Sequence, residues 1–260
     1  MELLTRTGLE FGFRWLHILF GITWIGLLYY FNLVQVPAFA AYGDEGKARN
    51  IAIQNVASRA LWWFRWAAVF TLGTGLLIIG ATKDYMVGFM KSPVAEAGKS
   101  GATGSAAENA AIFVGIVLGI TMAANVWMVI WKHQKTVIAN AANVLGGGEA
   151  NAAAPAAGRA ALLASRQNFV FSLSMLFFMV GTAHFYDQGG FTTTSAGSAW
   201  AFVLIALAIA LVLELNCLGL IGGKANTNKL LWPYESHKNA MISAGVLWLV
   251  LWLLSEILLT

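Results

Sequence analysis

Residues 11–36, FGFRWLHILFGITWIGLLYYFNLVQV, contain no acid and only one arginine and one histidine. A run of this kind is long enough to cross bilayer hydrocarbon, which takes about 20 apolar residues. Five more stretches share its character: 61–81, 110–131, 169–186, 199–221 and 239–259. Together they predict an all-α polytopic membrane helix bundle of six transmembrane helices, a single integral membrane domain over residues 1–260. No small-residue cleavage site closes a short apolar core in the first run, which is expected to stay in the mature protein.

The composition agrees. The 260 residues are 58% apolar, 13% aromatic and 11% charged, where a soluble domain carries about 25% charge, and the mean hydropathy is +0.69. Cys217 is the single cysteine. It excludes a disulfide framework, a Cys-x-x-Cys zinc or redox site and a Cys-x-x-Cys-His attachment of c-type haem within these residues. The net charge is +4, but the cations are scattered in loops and form no tract, which speaks against nucleic acid. The loops near 99–107 and 139–164 are rich in small residues, with a helix-prone piece at 157–165. The fourth span is the shortest and carries the most hydroxyl groups, with Ser172, Ser174 and Thr182.

Loop cations set the orientation. The connections after spans one, three and five hold Lys47, Arg49, Arg59, Lys132, Lys135, Arg159, Arg166, Lys224, Lys229 and Lys238, ten in all, against Arg6, Lys83, Lys91 and Lys99 on the other side. The ten-charge side is expected to be cytoplasmic. Both termini then lie outside, in the periplasm for a bacterial inner membrane. Trp15, Trp62, Trp63, Trp66, Trp131, Trp200 and Trp232 fall near the expected interfaces.

Ionisable groups inside a bilayer are costly, so each is a candidate for function. His17 shares a helical face with Arg14, Gly21, Trp24 and Leu28, and Gly21 removes a side chain that would block a flat ligand. His184 closes the fourth span, with Gly181 one turn away. With the first span starting outside and the fourth ending there, the two histidines differ in depth by about 5 Å. Two neutral imidazoles from different helices, each beside a glycine, match the needs of a b-type haem with two axial histidines. Arg14, one turn outward, is placed for a propionate. The same residues also suit simple packing, since membrane histidines form hydrogen bonds and glycines permit close helix contact. His133 lies about 30 Å away at the other interface, and His237 falls in a polar loop. Glu214, Asn216 and Asn125 lie within spans; Glu214 with Arg65 suggests an ion pair, a proton relay or part of a quinone site. Gly115 to Gly119 is a small-xxx-small packing motif.

Several segments resemble one family. They are RWLHILFGITWIGLLYYFN from Arg14, WWFRW from Trp62, NVWMVIWKHQK from Asn125, and the stretch from Ala164-Ser-Arg166-Gln-Asn168 through Ser174 to His184. They resemble, in order, the membrane domain of the PuuD-type urate hydroxylases. The likeness covers about residues 11–186; spans five and six match only in character. The first span is also similar, more distantly, to the opening helix of the HemJ-type protoporphyrinogen oxidases, where a matching histidine holds haem. The resemblance implies an inner-membrane oxidoreductase module, which in the urate hydroxylases is followed by a periplasmic cytochrome c domain. These residues include no Cys-x-x-Cys-His, so electrons are expected to leave through another chain.

Three functions follow as expectations. The first is a haem b protein passing electrons to a separate cytochrome c or respiratory partner, with His17 and His184 as ligands and Arg14, Gly21, Gly181 and Trp24 around the cofactor. The second is a non-catalytic accessory subunit of a larger membrane complex. The third is a urate or purine hydroxylase that borrows an external cytochrome c. A transporter is disfavoured, because neither repeated halves nor matched Gly/Pro-broken spans occur.

Overall fold

A computed structural model describes residues 4–81 and 105–260. Among them there is no β-strand, and six helices are long and apolar enough to cross a membrane: α1 (Arg6–Ala41), α2 (Gly46–Gly80), α3 (Ala106–Leu145), α4 (Ala154–His184), α5 (Ala196–Cys217) and α6 (His237–Leu259). Lys83, Lys91, Lys99 and the small-residue stretch as far as 104 lie outside the described residues. Side-chain oxygens begin several of the helices: Thr5, Ser195 and Ser236 accept from backbone amides of the first turn, and Ser105 forms a reciprocal capping box with Glu108.

The first four helices outrun the bilayer. At about 1.5 Å per residue they run about 46–60 Å, against about 30 Å of hydrocarbon. Most of the excess lies at the end that carries the ten loop cations, labelled the inner end, with the opposite end labelled the outer. The expected loop at 139–164 is therefore mostly helix: α3 continues to Leu145, α4 starts at Ala154, and only a short link joins them. Hydropathy marks where lipid ends, but backbone hydrogen bonding continues beyond it.

Three helices contain a widened π-helical turn near this inner end, at Tyr30–Gln35 in α1, Ile53–Ala57 in α2 and Asn125–Ile130 in α3. The first has a local cause. Pro37 has no amide hydrogen to give to Leu33 and its ring crowds that carbonyl, so a regular turn cannot be completed there.

Packing is pairwise, with α4 at the centre. The outer half of α1 lies on α2, where the Phe20 and Phe70 rings stack at 4.9 Å. Helix α3 approaches α4 closely through Gly115, where a β-carbon would stand 3.3 Å from Met179 Cγ; the small-xxx-small motif is a packing device. Helix α4 also packs on α5 and α6, which explains its sequence. Its Arg166, Gln167, Asn168, Ser172 and Ser174 are buried against protein rather than facing lipid. Near its inner end, Arg166 donates to the carbonyl of Tyr234, Tyr234 donates to the carbonyl of Leu213 at 3.1 Å, and Arg159 pairs with Glu235 at 2.7 Å. These contacts fasten the α5–α6 connection to α4. Burial raises the Tyr234 phenol above its ordinary pKa, so it stays a donor.

At the outer end the anchor is Tyr186, just beyond α4. Its ring is fully buried, stacked on Phe178 and edge-on to Phe191 at 5.0 Å. Ser255 gives its hydroxyl proton to the carbonyl of Trp252, so the Tyr186 hydroxyl donates to Ser255 Oγ at 2.7 Å.

Candidate functional site

His17 points toward α2. Its Nδ1 lies 2.8 Å from the carbonyl of Thr71 and 3.3 Å from Thr74 Oγ1, whose own proton goes to the helix backbone. A carbonyl can only accept, so in the neutral ring Nδ1 carries the hydrogen and Nε2 keeps its lone pair. Gly75 faces the imidazole: a β-carbon there would stand 3.2 Å from His17 Cε1. Thr71, Thr74 and Gly75 were not singled out in the sequence. The small-residue run TLGTG, ending at Gly75, was the available signal, and hydropathy hid it inside an apolar span.

The other members of that α1 face are differently placed. No side chain lies within 4 Å of where a β-carbon of Gly21 would be. Trp24 is 2% exposed, and its indole N–H has no partner among the described residues. Arg14 is exposed one turn outward.

On α4 the picture is less even. Inner contacts fix the register of α1 against it: Tyr29 meets Phe169 with ring centroids 4.8 Å apart, and its hydroxyl reaches Ser172 Oγ at 3.1 Å. Counting the same number of residues outward along these antiparallel helices brings His17 level with His184. His184 is exposed on the last turn, and no hydrogen bond joins it to His17 among the described residues. The expectation that Gly181 opens room for a flat ligand needs correction. Tyr186 already fills that space, with Cε2 3.2 Å from where a β-carbon of Gly181 would stand.

The suggested Glu214–Arg65 pair does not form. The guanidinium of Arg65 instead lies over the indole of Trp131, with Cζ 3.7 Å from the ring centroid, a cation–π contact. The indole N–H of Trp127 donates to the Arg65 carbonyl at 3.0 Å. Glu214 belongs to an amide network: Asn125 Nδ2 donates to its carboxylate at 3.1 Å and to Asn168 Oδ1 at 3.0 Å, while Asn168 Nδ2 donates to the Met122 carbonyl. Beside them Gln167 is fully buried, with its carboxamide set against the Glu214 carboxylate. His133 is half-buried on the inner extension of α3, and His237 opens α6. Among the described residues no three His, Cys, Asp or Glu side chains converge as a metal-binding group.

The model of a protein family described as urate oxidase N-terminal matches residues 85–250. The matched region takes in α3, α4 and α5 and most of α6. It thus includes most of the last two spans, where the sequence resemblance was one of character, and leaves out α1, on which that resemblance leaned. Neither a curated protein nor a solved structure matches the chain. With well over half of its length matched, this six-span chain belongs to the urate oxidase N-terminal family.

Proposed function

We propose that this chain is a membrane haem b protein of the urate hydroxylase type, relaying electrons near the outer face to a separate cytochrome c or larger respiratory partner. The observation that carries this reading is the state of His17. A ligating histidine generally gives its other ring N–H to a carbonyl or carboxylate, which fixes its tautomer and orientation. His17 does so through Nδ1 to Thr71, and Nε2 is left as a donor atom. The surroundings fit such a group: Gly21 leaves open space, and the buried Trp24 N–H lacks a partner among the described residues. His17 and His184 would hold the iron, and haem b would supply one-electron chemistry. Thr71 and Thr74 orient the His17 ring, Gly75 makes room for it, and Arg14 is available to a propionate carboxylate. The loop charges support an orientation with both termini outside.

A pyridine haemochrome assay and a reduced-minus-oxidised spectrum of the purified chain, made in cells supplied with haem, test the proposal. Soret and α bands with about one haem per chain are expected. Their absence overturns it.

The family match favours a second reading, in which the module acts on urate or a related purine and passes the electrons to an external cytochrome c. Deletion of the gene is then expected to abolish purine turnover in membranes. An unchanged rate excludes this reading.

A further inference from the structure

The three π turns meet at a cavity. A partly open space of about 210 Å³ lies among Phe31 and Gln35 of the first turn, Ile53 and Ala57 of the second, Ile130 of the third and the inner half of α4. π turns occur disproportionately at functional sites, and here three chain segments bring theirs to one chamber. Pockets for drug-sized ligands measure about 300–1,000 Å³, so this smaller space suits a single ring and not a macrocycle. It straddles the inner membrane interface, reaching from Leu61 and Phe64 within the second span to Gly158 on the helical extension.

Its walls narrow the chemistry. Among the described residues no charged side chain lines it, so an anionic purine or a fatty-acid carboxylate would bury its charge against no cation there. The Phe31 and Phe64 rings meet edge-on at 5.3 Å and give the cavity an aromatic wall. The polar groups are two carboxamides, Gln35 and Gln134, and the Ser165 hydroxyl. Gln35 Oε1 is buried and unpaired among the described residues, an acceptor that calls for an O–H or N–H donor. Ser165 Oγ accepts from Asn32 Nδ2 at 3.0 Å and keeps its own proton to donate. A neutral, planar, membrane-soluble ring that both donates and accepts through oxygen meets all of these conditions.

We propose that the cavity among the three π turns binds the hydroquinone ring of a membrane quinol, with Gln35 Oε1 accepting from a ring hydroxyl. Gln35 lies eighteen residues beyond His17 on the same helix, about 27 Å away, so the site is separate from the outer end of α1 and does not rest on the haem assignment.

The test is calorimetric titration of the full chain in detergent, under reducing conditions, with decyl-ubiquinol and with its di-O-methyl ether, which has no hydroxyl to donate. The quinol is expected to bind saturably and at least tenfold more tightly than the ether. Gln35→Leu should weaken the quinol about tenfold and leave the ether unchanged. Gly158→Leu should abolish binding of both by filling the chamber; a β-carbon at this position meets only Val137 Cγ2, at 3.8 Å, so a side chain starts there without a clash. No saturable binding, equal affinity for quinol and ether, undiminished binding to the Gly158→Leu variant, or displacement of the quinol by decanoic acid at equal affinity would each overturn the proposal.

Discussion

Replacing His17 with alanine is expected to remove the Soret and α bands from the purified chain, lowering bound haem by at least tenfold. Even partners that only orient a ligand are worth about 10- to 100-fold in metal affinity, and loss of the ligand itself removes more. The fold should tolerate the change. The Thr71 carbonyl, which accepts from the ring, also takes part in the helical hydrogen-bond ladder of α2 and is not orphaned when the imidazole leaves. Thermal unfolding measured alongside the spectrum should therefore move little. His184→Ala is expected to lose or shift the bands as well. A variant lacking His17 that keeps a wild-type spectrum would refute the ligand assignment, and one lacking His184 that does so would leave α4 without a role at the iron.

Tyr186→Ala is expected to produce the largest loss of stability from a single substitution, about 3–5 kcal/mol, the range for removing a large buried aromatic ring. The ring fills the hollow at Gly181, stacks on Phe178 and meets Phe191. Its hydroxyl reaches Ser255 on α6, and its carbonyl accepts from Ser105 at the start of α3 at 3.4 Å. The side chain thus ties α4 to α6, while the carbonyl contact to α3 survives the substitution. Tyr186→Phe keeps the ring and loses one hydrogen bond, for which about 1 kcal/mol is expected. Burial raises the Tyr186 phenol above its ordinary pKa, so it remains protonated and the bond to Ser255 persists in alkaline solution. Thermal unfolding of the two variants in one detergent distinguishes these values; equal melting of Tyr186→Ala and wild type would remove Tyr186 as the anchor.

The six spans were legible in the sequence because lipid contact imposes a composition, and a window of apolar residues detects composition. The same property hid the rest. The inner extensions of α2, α3 and α4 carry charges and small residues in the manner of a loop, so the stretch 139–164 reads as one although most of it is helix. The polar content of α4 weakens its hydropathy, and only packing shows that Gln167 and Asn168 face neighbouring helices. Of the candidate site, His17 and Trp24 stood out as costly or unusual groups in an apolar face. Thr71 did not, because it acts through its backbone carbonyl, which every residue has. Gly181 was misread because adjacency in sequence cannot tell an open hollow from one that Tyr186 occupies. Of the three π turns only the first had a visible cause, in Pro37. The cavity depends on bringing together segments about a hundred residues apart or more, such as those of Phe31, Ile130 and Gly158.

The widened turn at Tyr30–Gln35 also sets the relative rotation of the two ends of α1. A regular helix advances about 100° per residue, so a turn that absorbs an additional residue swings everything beyond it by a comparable angle. The stripe from Arg14 through His17 and Trp24 to Leu28 cannot be extended past Tyr30 on the same helical wheel. One continuous rod thereby faces α2 where it holds the imidazole and is free to aim Gln35 along a different azimuth. Deleting a single residue within that turn would rotate one end against the other while leaving every apolar position apolar.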